Sequence, residues 1–538
     1  MRCIKIPLIQ TGQIHKLSSD YLSGNPEINQ FFDFEPSITG TEKAIEARKK
    51  YPVNRTVLVD ALTKQYIKTD PDYFENSSNN LVIDNVKSLS NKNTFTVTTG
   101  HQLNIFTGPL YYIYKLISVI KYAETLNQTF PDFHFVPVYW MATEDHDFEE
   151  INHFHLWGKT FTWEEKSSGA VGRINPHSLN TIIEEISSKT GNNINGETLI
   201  SIFRKSYLEH NSLADAVRYL VNKLFKNQGL VILDGDDSDL KKTLIPIFEK
   251  DIFQNSFYKT VNSTCSVLEK HYKLPVSPRE INVFYLGDKS RTRIVFENGK
   301  YHAQETSKRW TETELKQELN INPEYFSPNV VLRPVYQELT LPNIAYIGGN
   351  NEIAYWLQLK SAFNKAKVFF PQLLVRDSAL YIGKKANAYL EMFKLEPQDL
   401  LQSAEDLNFK FYQVNALEHA SEKDCALILD QYEKLRNDLQ GLPNDLVATI
   451  VKQMNLQIKE VRRWKNEIHN KQLELQEVNI TKLDKIYRTF YPDGEFQERH
   501  DNFIPYYLQY GDEWFEILKN EFNVLEAMCH IFVEEENN

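Results

Sequence analysis

The N-terminal part of the chain repeats one pattern, in which a short apolar, β-branched run stops at small or charged residues and helical spacing of apolar residues follows. Such runs are typical of buried strands, and spacing of three and four residues is typical of amphipathic helices. A strand, a helix and a second strand joined in this way form a right-handed crossover between parallel strands. The pattern therefore predicts an α/β fold around a parallel sheet. The predicted strands are Thr94–Thr99, Val136–Met141, Gly229–Leu233 and Ala345–Ile347.

Polar residues are crowded directly after these predicted strands. Because the carboxyl ends of parallel strands share one edge of a sheet, where open α/β sheets bind ligands, we expect the first two polar groups to line one crevice. Thr143 is predicted to cap a helix whose first turn holds acidic residues, although a surface helix that is only well capped would look the same. The third group fits a turn and a helix cap as well as it fits a site. In chain order the groups are Gly100-His101-Gln102, Thr143-Glu144-Asp145-His146-Asp147, Asp234-Gly235-Asp236-Asp237 and Gly348-Gly349.

Several of these residue types are suited to ligand binding. Gly100 lets the backbone approach a ligand closely, and His101 and Gln102 supply hydrogen-bond donors. The turn Gly348-Gly349 before a predicted helix offers backbone N–H groups to an anion. A metal site is a further hypothesis, since His146, Glu150 and His153 would share one face of a helix, but the same spacing also makes ordinary charge pairs.

The rest of the chain divides by composition. We predict a core over residues 1–383 with insertions at about 158–225, made of short elements, and about 255–327. From 384 to 490 the composition is that of long helices, with a hairpin at Gly441 and a heptad seam from Val447 to Val478, which predicts an antiparallel coiled-coil arm that dimerises. The aromatic segment 491–538 is expected to pack back on the core.

Composition narrows the class of protein. A formal net charge of −12 disfavours a general nucleic-acid binder, and 41% hydrophobic residues are enough for a large core. We expect no membrane span, because no long uninterrupted apolar run is present, and no secretory signal is recognisable at Met1–Pro7. The four cysteines are far apart and form no Cys-x-x-Cys pair, which predicts reduced thiols and a cytoplasmic location.

The motifs and their order resemble the bacillithiol-biosynthesis cysteine-adding enzymes, the BshC cysteine ligase family, over essentially the whole chain. The resemblance implies a Rossmann-like nucleotidyltransferase core with connective insertions, followed by a helical coiled-coil domain that dimerises. It also implies amide-bond formation between L-cysteine and the amine of glucosaminyl malate. The motifs that carry it are Thr98-Thr99-Gly100-His101-Gln102, Gly108-Pro109, Trp140 to Asp147, Ala345-Tyr346-Ile347-Gly348-Gly349, Glu352-Ile353-Ala354-Tyr355-Trp356 and Gln497-Glu498-Arg499.

Such a reaction needs an activated cysteine carboxyl, and an adenylate made from ATP, with Mg²⁺, is the simplest activation. His101 and Gln102 would then stabilise developing charge, and Asp145, His146 or Asp147 would accept a proton from the amine. Glu352 would hold a substrate ammonium or hydroxyl. We predict no resident metal. The candidate residues for substrate or nucleotide binding are Gly100, Asn104, Trp140, Thr143, Glu144, Gly348, Gly349, Glu352, Tyr355 and Arg376.

The rival hypothesis is a non-catalytic scaffold that binds a protein or nucleotide partner through the coiled coil. It accounts for the heptad seam but not for several polar strand ends on one sheet. If the enzyme hypothesis holds, His101→Ala or Asp145→Asn should abolish product formation. The sequence also predicts that both variants keep nearly the same melting temperature, because both residues follow buried strands in turns that pack little.

Overall fold

A computed structural model describes residues 1–72, 80–165, 168–190, 193–225, 227–287, 289–414, 420–439, 442–474 and 480–535. The chain forms two compact units. The larger unit comprises Pro7–Ser378 and Glu498–His530, and the smaller unit comprises Met1–Ile6, Ala379–Gln497 and Ile531–Asn538. Within the described ranges, no helix has a stretch apolar and long enough for a membrane crossing.

The strands, in chain order, are β1 (Arg2–Pro7), β2 (Thr94–His101), β3 (His134–Met141), β4 (His153–Leu156), β5 (Lys159–Thr162), β6 (Val231–Asp234), β7 (Val283–Gly287), β8 (Ser290–Glu297), β9 (Lys300–Ala303), β10 (Arg309–Trp310), β11 (Phe326–Pro328), β12 (Asn343–Gly348), β13 (Gln372–Val375), β14 (Ser378–Ile382) and β15 (Met528–Val533). The helices are α1 (Lys16–Leu22), α2 (Ile38–Arg48), α3 (Arg55–Thr69), α4 (Leu81–Ser88), α5 (Leu110–Thr129), α6 (Phe148–Ile151), α7 (Asn180–Thr190), α8 (Ile194–Leu208), α9 (Leu213–Phe225), α10 (Ser238–Lys242), α11 (Ile245–Gln254), α12 (Ser256–Leu268), α13 (Glu312–Ile321), α14 (Arg333–Thr340), α15 (Asn350–Ala366), α16 (Lys384–Met392), α17 (Ala404–Val414), α18 (Ala420–Asp438), α19 (Asn444–Glu474), α20 (Ile480–Phe490), α21 (Gln497–His500), α22 (Ile504–Tyr510) and α23 (Glu513–Glu521).

A five-stranded parallel sheet with the order β13-β12-β2-β3-β6 organises the larger unit. The register pairs His101 with Met141 and Met141 with Asp234, so the carboxyl ends of these strands lie along one edge. In chain order β2 comes first, and β3 and β12 lie on either side of it. The strand order therefore reverses between β2 and β12, which is the position where sheets of this type open a ligand crevice.

The core of the sheet is built from residues that the apolar pattern predicts. Every residue of β2 is buried, and Val97, Phe135 and Ile347 pack with Val119 of α5 in one cluster. Burying a side chain of this size stabilises the fold by roughly 1.5–3 kcal/mol relative to leaving it exposed. The helix α5 connects β2 to β3, as the predicted crossover requires.

The two predicted insertions differ in outcome. In the first, the prediction of short, non-core elements is wrong, because α7, α8 and α9 are helices with buried apolar faces. Many of its Ser and Asn residues lie in the short connections and at the ends of these helices. In the second, short strands are present as expected and form an antiparallel sheet with the order β10-β9-β8-β7-β11. The C-terminal helices α22 and α23 pack against α8 and α5 respectively within the larger unit.

The smaller unit is mainly helical, with the strand order β1-β15-β14. The helices α18 and α19 pack against each other. Along the predicted heptad seam, Met454 and Val461 are buried, whereas Trp464 is exposed and does not join the seam. The predicted hairpin residue Gly441 and the seam's last member, Val478, lie outside the described residues.

Candidate active site

The end of β2 presents His101 in a buried setting. A Cβ atom at Gly100 would lie 3.2 Å from the Arg333 guanidinium, a tight contact that glycine avoids. The Lys115 ammonium donates a hydrogen bond to the Gly100 carbonyl at 2.9 Å. The His101 ring is stacked on Tyr111, at 5.3 Å between ring centroids, and packs beside Tyr112.

The His101 ring is uncharged at neutral pH. Its burial, followed by the positive charges of Lys115 and Arg376, lowers the pKa of His101 well below its ordinary value. Among the described residues, its Nε2 atom has no hydrogen-bond partner. A buried polar atom without a partner costs free energy, so a ligand group that bonds Nε2 would recover this cost.

The turn after β3 carries Asp145, and each oxygen of its carboxylate accepts a hydrogen bond. Its Oδ2 accepts a hydrogen bond from Gln102 Nε2 at 2.8 Å, and its Oδ1 accepts one from the His146 backbone N–H at 2.8 Å. The Arg291 guanidinium lies 3.7 Å from the same Oδ1. Burial disfavours the charged carboxylate, but the hydrogen bonds from His146 and Gln102 and the charge of Arg291 outweigh it and lower the pKa of Asp145. Asp145 is therefore an ionised, weakly basic carboxylate.

The prediction that Thr143 caps a helix is wrong. The short helix α6 begins only at Phe148, and the Thr143 hydroxyl instead donates to Asp234 of the neighbouring strand. Glu144 to Asp147 form a non-helical turn, because the Thr143 and Asp145 carbonyls accept hydrogen bonds from the Gly172 and Val171 backbone N–H groups of another segment. The metal hypothesis fails for a related reason: α6 ends at Ile151, and His153 belongs to β4, so the three residues do not share a helix face.

The aspartates after β6 have structural partners. The Asp237 side chain accepts hydrogen bonds from two backbone N–H groups and caps α10. Asp236 pairs with Arg173 at 2.9 Å and with Lys241 at 2.6 Å. Lys241 also pairs with Glu144 at 2.8 Å. The structure thus supports the cap interpretation for this third strand end, and it shows that Glu144 is anchored by a buried lysine.

The turn after β12 is closed by Glu352. The Glu352 carboxylate accepts hydrogen bonds from the Gly349 N–H and from the Tyr346 hydroxyl, both at 2.8 Å, and it pairs with the Lys115 ammonium. The sequence predicts that the Gly349 N–H is available to an anion, but in the structure Glu352 already occupies it. Burial opposes ionisation of Glu352, but Lys115 outweighs it and lowers the pKa of Glu352. Lys115 thus ties the end of β2 to the end of β12.

Arg376 follows β13 and is held by a paired contact. Its NH1 and NH2 groups donate to the two Glu498 carboxylate oxygens at 2.8 and 2.6 Å. The Ser378 hydroxyl donates to the same carboxylate at 2.7 Å. Two parallel bonds of this kind fix the plane of a guanidinium. Glu498 and Arg499 thus bring the C-terminal segment to this edge of the sheet, within the larger unit.

These strand ends open into one cavity of about 730 Å³. The prediction that the Gly100 and Glu144 turns line one crevice is confirmed. Asn104 lies outside the lining and donates from its side chain to the Glu150 carbonyl at 3.1 Å. Thr143, His146 and Gly348 also lie outside it. The candidates that line the cavity are Gly100, His101, Gln102, Trp140, Glu144, Asp145, Asp147, Gly349, Glu352, Tyr355 and Arg376.

Several cationic residues that line the cavity were not among the site residues predicted from the sequence. Lys115 has a recognisable signal, since it is a charged residue amid the apolar positions of α5. Arg333 begins α14 and donates to the Tyr355 hydroxyl at 3.4 Å. Arg291 and Arg293 are two residues apart on β8, as solvent-facing residues of any antiparallel strand are, so nothing in the sequence marks them.

The fold and the cavity define a Rossmann-like protein with a polar cavity at the carboxyl ends of its parallel strands. Residues 1–377 match the family model for the N-terminal Rossmann-like domain of bacillithiol biosynthesis BshC, and residues 379–534 match that for the C-terminal coiled-coil domain. The chain therefore belongs to the bacillithiol biosynthesis BshC family and consists of these two domains.

Relatives of known name align with nearly the full chain. A protein of Flavobacterium psychrophilum is 39% identical over 97% of this chain and 98% of its own length. One of Christiangramia forsetii is 37% identical over 98% and 97%, and one of Bacillus cereus is 27% identical over 94% and 96%. Each of these relatives is named "Putative cysteine ligase BshC".

Proposed function

We propose that this protein is a cysteine ligase of bacillithiol biosynthesis that joins the carboxyl group of L-cysteine to the amine of glucosaminyl malate. The observation that carries the proposal is the meeting of the His101 and Asp145 turns in one cavity of a family member. The names of the relatives support the ligase reaction, and the motifs that resemble the family support the substrates.

A carboxylate does not acylate an amine, so the cysteine carboxyl must first be activated. We propose ATP as the activating substrate: a carboxylate oxygen displaces pyrophosphate from the α-phosphorus, and the amine then displaces AMP from the carbonyl carbon. The cavity contains seven cationic side chains and a buried imidazole, a donor set that fits anionic substrates. The cations are Lys115, Arg279, Arg291, Arg293, Arg333, Arg376 and Arg499. The nucleotidyltransferase-like character of the core belongs to this proposal.

Within this reaction we assign His101 to stabilising developing negative charge, with Nε2 carrying the proton of the neutral ring and donating it, since Nε2 is a buried atom that lacks a partner in the described chain. Gln102 holds Asp145 in place. Because the Asp145 carboxylate already accepts a hydrogen bond on each oxygen and its pKa is lowered, Asp147, which also lines the cavity, is the better proton acceptor. The Asp147 side chain is exposed.

The experiment is to incubate the purified full chain with cysteine, glucosaminyl malate and ATP, and to follow the amide product and AMP by mass spectrometry. Product and AMP in equal amounts support the proposal. Product without AMP overturns activation by an adenylate but keeps the ligase function. Absence of product with every nucleoside triphosphate contradicts the ligase proposal.

We also propose that the two helices of the coiled coil run antiparallel and that this domain forms a homodimer. Large apolar side chains are exposed on α18 and α19, and they favour a partner over a free monomer. They are Leu427, Ile428, Leu435, Leu446, Leu456 and Trp464. Light scattering at micromolar concentration tests this: the wild type should have twice the monomer mass, and Leu456→Glu with Trp464→Glu should lower it. The scaffold alternative predicts the dimer without turnover.

A further inference from the structure

Apart from Arg499, which lies over the Tyr111 ring, the cations of the cavity fall into two groups. Lys115 and Arg376 are buried, Arg333 is half-buried, and all three have partners, namely Glu352, Glu498 and Tyr355 respectively. The second group belongs to the antiparallel sheet and the segment before it: Arg279, Arg291 and Arg293. Within the described residues, the guanidinium groups of Arg279 and Arg293 have no carboxylate partner.

In the second group the fold fixes the Arg291 guanidinium and the backbone of its neighbours. Arg291 and Arg293 are two residues apart on β8, so they project from the same face of the sheet. The Arg291 guanidinium lies over the Phe284 ring at 4.3 Å and donates to the Ser327 hydroxyl and the Pro328 carbonyl. The Asn282 side chain bonds both the N–H and the carbonyl of Arg279.

The arginine group meets the acidic turn at one point. The Arg291 NH1 group donates to His146 Nδ1 at 3.2 Å and lies 3.7 Å from Asp145. The charge of the cavity wall therefore changes sign at Arg291. On one side lie the carboxylates of the turn after β3, and on the other lie the guanidinium groups of Arg279 and Arg293. A ligand that carries an ammonium at one end and carboxylates at the other matches this arrangement.

We propose that Arg279, Arg291 and Arg293 form the subsite for the two carboxylates of the acceptor, which in glucosaminyl malate belong to the malyl group. This rests on the proposed function, because it takes the acceptor from there. Guanidinium groups bind carboxylates through paired hydrogen bonds, and two carboxylates use two or three of them. With the malyl group at this subsite, the glucosamine amine points toward Asp145 and Asp147.

Nucleotide phosphates share the negative charge, but the position favours the dicarboxylate. A nucleotide in a doubly wound sheet is expected at the strand-order reversal, which here lies between β2 and β12, beside Lys115 and Arg333. The arginine subsite is on a separate antiparallel sheet, next to the turn that would hold the amine. One small acceptor molecule can span that short distance, so both ends are recognised together.

The test is calorimetric titration of the full chain, without cysteine, with three ligands: glucosaminyl malate, methyl glucosaminide and ATP. The variant is Arg279→Gln with Arg293→Gln, which leaves the Arg291 contacts to Asp145 intact. The matched control is Arg309→Gln, an arginine of the same sheet that bonds the Thr306 and Lys308 carbonyls and lies outside the cavity lining. We expect the variant to bind glucosaminyl malate about 10- to 100-fold more weakly, with methyl glucosaminide and ATP unchanged.

Each other result has a defined meaning. Unchanged affinity for glucosaminyl malate, or an equal loss for methyl glucosaminide, overturns the subsite. A loss for ATP alone assigns the arginines to the nucleotide and also overturns it. If the wild type binds glucosaminyl malate in this pattern but forms no amide, the ligase proposal fails while the subsite stands.

Discussion

The polar turns at the ends of β2 and β3 are neighbours in the sheet but opposites in chemistry. His101 is buried between aromatic rings, is uncharged, and has an Nε2 atom without a hydrogen-bond partner in the described residues. Asp145 accepts hydrogen bonds on both oxygens and faces a guanidinium. In the first turn His101 Nε2 remains available to a ligand, whereas in the second turn each Asp145 oxygen already accepts a hydrogen bond.

This difference helps to decide which residue accepts the proton, a choice that the sequence left open. Residue types alone make Asp145 as good a proton acceptor as His146 or Asp147. A carboxylate whose pKa is lowered by its hydrogen bonds is a poor base near neutral pH, so we expect Asp145 to position Gln102 and Arg291. The four predictions that follow test the contrast between the two turns.

The largest expected effect is on stability, through the lysine that holds the β2 turn. Lys115→Met should leave the partly buried Glu352 carboxylate without its cation and lower the free energy of unfolding by about 3 kcal/mol. Urea denaturation measures it. Adding Glu352→Gln to this variant should restore part of the loss. Lys16→Met, which breaks an exposed helical pair, is the control and should change little. A small loss in Lys115→Met would show that the β2 turn does not depend on this ion pair.

The second prediction concerns the open interaction of His101. His101→Asn keeps a polar side chain but cannot place a donor where Nε2 lies, so the rate of amide formation should fall about 100-fold or more. The buried ring contradicts the expectation that His101→Ala would leave the melting temperature nearly unchanged, since alanine leaves a void beside Tyr111 and Tyr112. Steady-state kinetics should accompany the melting curve. A normal rate in a folded His101→Asn variant would make His101 structural.

The third prediction concerns the filled network of Asp145. Asp145→Asn keeps the shape of the side chain but weakens its bonds to Gln102 and the contact with Arg291, so we expect a loss of about tenfold in kcat/KM. A loss as large as that of the His101 variant would instead make Asp145 the proton acceptor. Asp60→Asn, an exposed aspartate outside the cavity lining, serves as the control and should retain full activity.

The smallest expected effect is the pH dependence of stability. The pKa of His101 is lowered in the folded state, so below the ordinary value of 6.5 the unfolded chain binds the extra proton and the folded chain does not. Stability should therefore fall as the pH decreases below about 6.5, by about 1 kcal/mol per pH unit from this residue. His101→Asn should lose less stability over the same range. Parallel curves for the two proteins between pH 6.5 and 5 would contradict a neutral His101.

The sequence predicted the parallel sheet well because its strands are buried on both sides and appear as continuous apolar runs. The four predicted strands correspond to β2, β3, β6 and β12. It failed at the turn after β3, where acidic residues are typical of a first helical turn, because backbone hydrogen bonds from Gly172 and Val171 to this turn override that local preference. It also missed the helices of the first insertion, whose polar composition hid their buried faces.

What the sequence by itself determined is the order of strands and helices and the edge of the sheet at which His101 and Asp145 lie. Both follow from local patterns, namely apolar runs and the residues that end them. Only the tertiary structure decided which side chains are engaged by other protein groups and which are available to a ligand. The partners of Glu352, Arg376 and Asp145 come from distant parts of the chain, and the arginines of β8 reach the cavity from another sheet. Burial and charge pairing depend on such long-range contacts, which residue spacing does not record.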